Sequence, residues 1–336
     1  MPPLLERLGV ELPVVQAGMG GGLSRHELAA AVSEAGGLGT IAVGGADAIR
    51  HELAAARELA GRPVAVNVLL PFARRDWFEA AADADVVVTF WGRPRRRTSS
   101  AWLHQCGSVA EARAARAAGA DGVIVQGVEA GGHVRGTTPA LELLERARAA
   151  LPAGYPLLLA GGVAEAGDVR TALEAGADAA VAGTRFLLSE ESHAHALYKE
   201  RLLAADETLL TDLFGAGWPA RHRVVPNAAT AHHLGRRSSL GRISRSKDVR
   251  RSVLAAPWAN RAINRLMAPG ARYAPPFLQL RMMRAQRPGS RVLTPAGPTD
   301  DGPGTLVDAG ALYAGETVAR IAEVRPAAEI VRDLAG

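Results

Sequence analysis

One histidine, His133, is surrounded by glycines directly after an apolar segment. Residues 123–125 read Val-Ile-Val, Gln126 ends the run, and glycines stand at 127, 131, 132 and 136. A β-branched apolar run is typical of a buried parallel strand, and glycines let the backbone approach a ligand closely. An imidazole can accept a proton or, once protonated, hold an oxyanion near neutral pH. The pattern is consistent with an imidazole beside a ligand at a strand end, and equally with a solvated histidine in a turn.

Small residues at the ends of two further apolar runs are candidates for phosphate binding. Gly161 and Gly162 follow residues 156–160, and Gly183 and Thr184 follow residues 179–182. Backbone N–H groups near a helix start suit a dianion, and in α/β barrels the loops after the seventh and eighth strands commonly hold one. Two adjacent glycine-containing ends favour a phosphate site over the alternative of two tight turns.

Three side chains near strand ends are candidates for contact with an aromatic cofactor ring. Met19 lies between two glycines and offers a soft, polarizable side chain. Asn67 and Gln126 carry amides that can both donate to and accept from the polar edge of an isoalloxazine ring. Each amide has the alternative interpretation of a buried polar group satisfied by neighbouring strands, and the residues alone leave that alternative open.

Eight alternating strand and helix segments are predicted to position these residues. The strands are expected at 14–17, 38–43, 64–70, 86–90, 102–106, 122–126, 156–160 and 179–182. Eight such units in order predict an α/β fold, the closed (β/α)8 TIM barrel. Residues 93–100 are too few and too polar for a crossover helix, so a loop is expected there. Ser24 and Ser108 are expected to cap the helices that follow them.

The pattern changes after Asp206, where seven prolines between 219 and 288 divide the chain into short segments. We predict a barrel domain over residues 1–212, completed by 305–336, and an inserted basic helical lid domain over 213–304. Residues 236–291 carry 14 Lys and Arg against one acid, Asp248. Solvated helix faces best explain this run, ahead of a funnel for an anionic substrate and, more remotely, nucleic acid. Residues 312–334 are expected to be helical and to pack on the barrel.

Composition limits the classes of protein and of site. The chain has 336 residues, of which 48% are hydrophobic, and a formal net charge of +5, which suits one barrel with an appended unit. Because Cys106 is the single cysteine, neither a disulfide nor a cysteine-built metal centre is expected, and no metal site is predicted. The sequence shows no secretory signal and no run of the ~20 apolar residues that span a membrane. We expect a soluble cytoplasmic protein that binds neither membranes nor nucleic acid.

Five strings of the sequence carry a family resemblance. They are Gln16-Ala17-Gly18-Met19-Gly20, Val66-Asn67-Val68, Gln126-Gly127-Val128-Glu129-Ala130-Gly131-Gly132-His133, Ala160-Gly161-Gly162-Val163, and Gly183-Thr184-Arg185-Phe186 with Glu191-Ser192. Together they resemble the nitronate monooxygenase family, formerly called 2-nitropropane dioxygenases. The tail from 311 to 331 is also similar, so the resemblance runs nearly end to end, and the string that ends in His133 is its most specific part.

The resemblance implies an FMN-bearing barrel in which His133 is the catalytic base. With the residue-based reasoning above, the predicted cofactor-binding residues are Met19, Asn67, Gln126, Gly131, Gly161, Gly162, Val181, Ala182, Gly183 and Thr184. The implied reaction oxidises nitronates, such as propionate 3-nitronate, with dioxygen to a carbonyl compound and nitrite. The chain departs from the family pattern in three places, one of which is the shortened fourth unit on the outside of the barrel. Val181-Ala182 stands where Gln-Met is common, so contacts there must come from the backbone, and one extra residue precedes Arg135, which would move it relative to the pocket.

Two alternatives of different classes stay open. An FMN-dependent enoyl-acyl-carrier-protein reductase would share the barrel and a similar glycine-histidine string but would draw hydride from NADH or NADPH. The basic segment could dock an acidic carrier protein, although Gln126 and Ala130 fit the monooxygenase string better. A non-catalytic phosphate-ligand binder or basic nucleic-acid module would contain no flavin. The oligomeric state is open as well, with a homodimer as the expectation to test.

Overall fold

The computed structural model describes residues 3–234, 266 and 276–336. By their contacts these residues form two compact units, and each is described by itself. The first unit is the described part of Met1–Ala130, Arg135–His193 and Glu323–Gly336, and the second is the described part of Gly131–Val134 and Ala194–Ala322. The chain therefore passes between units near residues 131, 135, 194 and 323. The predicted domains, 1–212 with 305–336 and 213–304, stay a prediction.

Eight parallel strands form the sheet of the first unit. They are β1 (Val14–Gln16), β2 (Gly39–Ile41), β3 (Val64–Leu69), β4 (Val86–Phe90), β5 (Ala101–Cys106), β6 (Gly122–Gln126), β8 (Leu157–Ala160) and β9 (Ala179–Ala182), while β7 (Gly132–His133) belongs to the second unit. Their order in the sheet is β1-β9-β8-β6-β5-β4-β3-β2. Val15 also forms a parallel bridge with Leu38, next to β2, so the sheet returns on itself. The predicted (β/α)8 TIM barrel is confirmed.

Helices cover the outside of this sheet. They are α1 (Pro3–Arg7), α2 (His26–Glu34), α3 (Ala46–Leu59), α4 (Arg75–Ala80), α5 (Val109–Ala117), α6 (Ala140–Ala150), α7 (Ala166–Glu174) and the short α8 (Thr184–Leu187). Residues 91–100, all of them described, contain no helix, which confirms the loop predicted for the fourth unit. The predicted cap of α5 is also confirmed, because the Ser108 hydroxyl accepts the Glu111 backbone N–H at 3.2 Å.

The predicted cap of α2 is wrong. The helix begins at His26, and the Ser24 hydroxyl accepts the backbone N–H of Met19 at 3.1 Å instead. A carboxylate from α3 takes over the task, since Glu52 accepts the backbone N–H of His26 at 2.9 Å. A cap supplied from a distant helix satisfies the same unpaired N–H that a local serine would, and the sequence pattern around residue 24 contains no sign of it.

The core of the barrel follows the alternation of side chains along each strand. Val15, Ala65, Val88 and Ile124 share an interior cluster, whereas their neighbours Val14, Val66, Val87 and Val125 pack in the layer under the helices. Because successive side chains point to opposite faces, Asn67 follows Ala65 into the interior and Gln126 follows Ile124. The barrel thus directs both amides inward near the carboxyl ends of their strands.

The second unit contains a small antiparallel sheet and several short helices. The sheet has the order β10 (Leu209–Thr211), β11 (His222–Val224), β7, and the helices are α9 (Ala196–Leu203), α10 (Ala228–Leu234) and α11 (Pro276–Ala285), with 3-10 turns at Gly304–Val307 and Val318–Arg320. A core of Leu213, Phe214, Val224, Ala229, Leu293 and Ala311 holds them together. Most of the basic run lies outside the described residues, so its predicted role as a lid stays a prediction.

The C-terminal segment is less helical than predicted. Only α12 (Ala327–Ala335) is an α-helix there, because Pro326 stands directly before it and the preceding residues form a 3-10 turn and extended chain. The predicted apolar stripe of α12 is confirmed, since Ala327, Ile330, Val331 and Leu334 are buried in the core of the first unit. Among all the residues described, no helix combines the length and the apolar character needed to cross a bilayer.

Candidate functional site

His133 is held by main-chain pairing in the second unit. It ends the two-residue strand β7, where it pairs with His222 of β11, and Gly132 pairs with Arg223. The next residue extends the pairing, because the backbone N–H of Val134 donates to the carbonyl of Arg221 at 2.9 Å. Opposed residues of an antiparallel pair carry their side chains on the same face. The sheet therefore brings two imidazoles together that are far apart in the sequence.

Three rings surround the imidazole of His133. The indole of Trp218 is stacked on it, with ring centroids 3.7 Å apart and planes at 11°. The rings of His222 and Tyr313 lie at 5.3 and 5.6 Å and are tilted by 57° and 47°. His222 and Tyr313 also contact each other, edge to face, at 6.0 Å. We call His133, Trp218, His222 and Tyr313 the ring cluster.

His222 is fixed as a neutral imidazole. Its Nδ1 lies 2.9 Å from the carbonyl oxygen of Ala220, which can only accept, so Nδ1 carries the proton. Its Nε2 accepts the backbone N–H of Phe214 at 3.2 Å and so carries a lone pair. The side chain is fully buried, and burial lowers the pKa of His222 to about 4. At neutral pH this ring neither carries charge nor offers a nitrogen for proton transfer.

His133 is also neutral at physiological pH. Burial, followed by the proximity of His222, lowers the pKa of His133 well below 6.5. A charged imidazole would lose hydration in this apolar surrounding, whereas a neutral imidazole loses much less. Of the two chemical roles open to this side chain, proton acceptor and cationic holder of an oxyanion, the free protein is prepared for the first.

The glycine-containing strand ends of the first unit lie side by side. β8 and β9 are neighbours in the sheet, and they lead into Gly161-Gly162 and Gly183-Thr184 respectively. Gly161 and Gly162 have φ values of +109° and +81°, and no described atom lies within 4 Å of where a Cβ on Gly162 would stand. The open space therefore lies beside Gly162, whereas a Cβ on Gly161 would meet the backbone nitrogen of Ala130 at 3.3 Å. Since α8 has only four residues, any anion here must be bound by individual N–H groups and the Thr184 hydroxyl rather than by a helix dipole.

Two of the predicted contact residues are part of the strand itself. Val181 and Ala182 lie in β9 with buried side chains, and the carbonyl of Ala182 accepts the N–H of Ala17 at 2.9 Å. Val181 joins the interior cluster and Ala182 the layer under the helices. Their side chains thus build the barrel wall, and only their backbone is available for the predicted contacts.

Asn67 and Gly18 form a close contact in the barrel interior. The amide nitrogen of Asn67 donates to the carbonyl of Gly18 at 3.5 Å, while its buried Oδ1 has no hydrogen-bond partner among the described residues. A Cβ on Gly18 would come within 2.5 Å of the Asn67 Cβ. An unpaired buried acceptor is costly unless a ligand or water supplies a donor. A ligand that donates a hydrogen bond there would satisfy the Asn67 Oδ1, and the N3–H of a flavin ring is a donor of that kind.

Gln126 and Arg135 shape the loop between β6 and α6. The Gln126 side-chain oxygen accepts the backbone N–H of Arg135 at 3.2 Å. The guanidinium of Arg135 donates to Glu111 at 2.6 Å and lies 4.7 Å from the ring centre of Trp91. Arg135, which follows the extra residue in the family string, therefore forms an ion pair and a cation–π contact within the first unit. These contacts fix the end of the loop.

Gly131 belongs to the second unit, and the packing around it leaves no room for a side chain. A Cβ there would come within 2.6 Å of the backbone at Ala314 and Gly315. Met19, in the first unit, is half-buried and packs against the core layer under the helices. The cofactor contacts predicted for both residues stay predictions, as does the position of His133 beside the glycine-containing strand ends.

Comparison with known proteins decides the family. The sequence model of the nitronate monooxygenase family matches residues 2–90 and 93–233, which is well over half of the chain. The chain belongs to the nitronate monooxygenase family. It is therefore an oxidoreductase of a family that is generally flavin-dependent.

Proteins similar in sequence to this chain have different named activities. A nitronate monooxygenase of Pseudomonas aeruginosa is 35% identical over 257 residues, 58% of this chain and 71% of that protein. A (3aS,4S,5R,7aS)-5-hydroxy-7a-methyl-1-oxo-octahydro-1H-indene-4-carboxyl-CoA dehydrogenase of Mycobacterium tuberculosis is also 35% identical, over 238 residues, 66% of this chain and 65% of that protein. At such identities the family is clear and the substrate is not fixed.

Solved structures give the same picture. FabK from Thermotoga maritima aligns with a TM-score of 0.72 at 26% identity, over 99% of this chain and 94% of that one. A nitroalkane oxidase from Streptomyces ansochromogenes aligns with a TM-score of 0.69 at 30% identity, over 99% of this chain and 96% of that one. Both likenesses agree with the TIM barrel.

The ring cluster shows what the sequence did not reveal. His133 was predicted from its glycines, but Trp218, His222 and Tyr313 were not connected with it. A weak signal existed for Tyr313, which lies in the tail that resembles the family. Trp218 and His222 stand in a proline-containing segment without periodicity, and only the pairing of β7 with β11 brings them to His133.

Proposed function

We propose that the protein is an FMN-dependent nitronate monooxygenase, which oxidises alkyl nitronates of the propionate 3-nitronate type with dioxygen to carbonyl compounds and nitrite. The observation that carries the proposal is His133, the last residue of the most specific family string, held as a neutral imidazole inside the ring cluster. A neutral imidazole has a ring-nitrogen lone pair that can accept the acidic α-proton of a nitro compound.

The barrel residues fit a flavin mononucleotide. Backbone N–H groups at Gly161, Gly162 and Gly183 would bind the phosphate together with Thr184, and the space where a Cβ on Gly162 would stand is open. The inward-directed Asn67 has an unpaired acceptor for the edge of the ring. When bound, FMN supplies the electron transfer between nitronate and dioxygen, and the protein supplies binding, orientation and a dry surrounding. Gln126 and Met19 are the further side chains that we assign to the ring.

The role of His133 depends on the form in which the substrate arrives. A neutral nitroalkane must lose its α-proton, which His133 accepts on a ring nitrogen while the C–H electron pair stays on the substrate as the nitronate. A preformed nitronate brings no such proton and does not need the base. The two substrate forms therefore separate proton transfer by His133 from the oxidation itself.

Oxygen uptake with propionate 3-nitronate is the test of this function. The purified protein should be yellow, should release FMN on denaturation, and should consume dioxygen and form nitrite without added NADH or NADPH. Oxidation of NADPH with a crotonyl thioester in anaerobic buffer, and no uptake with the nitronate, would instead establish the enoyl-acyl-carrier-protein reductase. A colourless protein that turns over neither substrate would contradict both flavin enzymes and favour a non-catalytic phosphate-ligand binder.

Two glycine variants test the cofactor position separately from turnover. In Gly18→Ala the new methyl group would come within 2.5 Å of the Asn67 Cβ and displace that side chain, so we expect FMN affinity to fall about tenfold or more. Gly20→Ala is the matched control, since its methyl group meets only the Leu69 Cδ1 at 3.9 Å, an ordinary contact. Fluorescence titration of the deflavinated proteins measures both, and equal affinities would contradict the assignment of Asn67.

A further inference from the structure

The stacking of Trp218 on His133 is the tightest ring contact of the ring cluster. The centroids are 3.7 Å apart and the planes nearly parallel, whereas the other two rings lie at 5.3 and 5.6 Å and are tilted. Trp218 is 7% exposed, so its indole is a fixed part of the interior of the second unit. One face of the imidazole is therefore covered by a π system along its whole plane.

This contact has a different energy in the two protonation states of His133. Burial and His222 both oppose the imidazolium form. The face of an indole attracts a cation more strongly than any other side-chain ring, and the attraction grows when the pair is shielded from water. Trp218 is the nearest and most nearly parallel ring, so within the ring cluster it is the neighbour that most strongly stabilises the protonated state, ahead of the more distant and tilted Tyr313.

We propose that Trp218 is a positioning residue for His133, which fixes the plane of the imidazole and stabilises the imidazolium that forms when a neutral nitroalkane loses its α-proton. The kinetic part of the inference rests on the proposed function. The step is balanced within substrate and base: the α-C–H bond breaks, its electron pair remains on the substrate as nitronate, and the proton forms the second N–H bond of the imidazole.

The other titratable groups of the ring cluster do not compete for this proton. Both nitrogens of His222 are engaged by backbone groups. The Tyr313 hydroxyl donates to the carbonyl of Pro295, and burial raises its pKa, so it stays a neutral phenol. The guanidinium of Arg223 forms an ion pair with Glu316 at 2.9 Å. Because strand side chains alternate, Arg221 and Arg223 point to the face of β11 opposite to His222.

The variants Trp218→Phe and Trp218→Leu test the proposal as a pair. Both replace the indole by a smaller side chain, and only Phe keeps an aromatic face. We expect the pKa of His133, measured by NMR on ring-labelled histidine, to be about half a unit or more lower in the Leu variant than in the Phe variant. Met replaces Leu if Trp218→Leu does not fold.

Kinetics supply the second readout. With a neutral nitroalkane, kcat/KM should fall about threefold further in Trp218→Leu than in Trp218→Phe, as half a pKa unit implies, while turnover of the preformed nitronate should be equal in the two variants. A loss that is the same for both substrate forms, or equal pKa values in the Phe and Leu variants, would overturn the proposal and leave Trp218 as a packing residue. If wild type turns over no nitro compound, the proposed function fails, and the NMR comparison still decides whether Trp218 stabilises the imidazolium.

Discussion

Two groups of histidines in the described part of the molecule are built on opposite principles. In the ring cluster of the second unit, His133 is surrounded by aromatic rings and is neutral. In the first unit, carboxylates and histidines alternate: the Nδ1 of His26 lies 2.6 Å from Glu52, its Nε2 lies 3.3 Å from Glu27, and Glu27 accepts from the Nε2 of His193 at 2.9 Å. We call these four residues the acid-paired cluster.

The surroundings decide what each group can do. In the acid-paired cluster, burial raises the pKa of Glu27, but the hydrogen bond and the charges of His193 and His26 outweigh burial and lower it. Charges are thus stabilised there, which suits a structural tie between the start of α2, α3 and residue 193. The cluster has the residue types of a metal site, but the 2.6 Å contact of His26 with Glu52 is a hydrogen bond that already engages both groups. In the ring cluster, by contrast, burial and His222 keep His133 neutral, so that it can accept a proton.

The largest expected effect is on turnover, which should depend on the ring cluster and not on the acid-paired cluster. Replacing His133 with Ala removes the base, so kcat with neutral nitroalkanes should fall about 10²- to 10⁴-fold while FMN stays bound and preformed nitronate is still oxidised. His193→Ala removes a histidine from the acid-paired cluster and should leave turnover at the wild-type level. Oxygen uptake measures both variants, and undiminished activity of His133→Ala on neutral nitroalkanes would remove this residue from the mechanism.

The second-largest expected effect is a loss of folding stability at acid pH that is caused by the buried His222 of the ring cluster. The pKa of His222 is about 4 in the folded protein and near 6.5 when unfolded, so the unfolded chain binds the extra proton between these values and stability falls as pH falls through that window. Between pH 7 and pH 5, wild type should lose about 2 kcal/mol more stability than His222→Gln, which cannot titrate. Urea unfolding at the two pH values measures this difference. Equal losses in both proteins would contradict the neutral, buried state of His222.

The smallest effect concerns the acid-paired cluster alone. Glu52→Gln should destabilise the protein by about 1 kcal/mol, because the charged cap on the start of α2 is weakened, without a change in turnover. Asp47→Asn is the matched control: Asp47 lies in the first turn of α3, is fully exposed and, among the described residues, forms an ion pair with Arg50 alone, so a smaller loss than that of Glu52→Gln is expected. Thermal unfolding distinguishes the two. A fall in activity of Glu52→Gln would contradict a purely structural cluster.

The barrel could be predicted from the sequence, whereas the surroundings of His133 could not. Apolar runs such as 123–125 and the glycines that end them are local signals, and parallel strands buried on both faces need such runs. The ring cluster depends on a two-residue strand, β7, pairing with β11, and so short a pairing leaves no periodic pattern. The cap of α2 failed for the same reason, because Glu52 reaches it from another helix. Contacts between segments that are distant in the sequence could not be predicted where no local sequence pattern depends on them.

The most direct test of the account is the protonation state of His133 itself. Ring ¹⁵N chemical shifts of selectively labelled histidine, assigned by comparison with His133→Asn, report that state without any substrate. We predict that His133 remains neutral from about pH 8 down to about pH 6 and takes up its proton well below the ordinary value of 6.5. A titration of His133 at or above pH 6.5 would contradict the claim that the ring cluster prepares a neutral base.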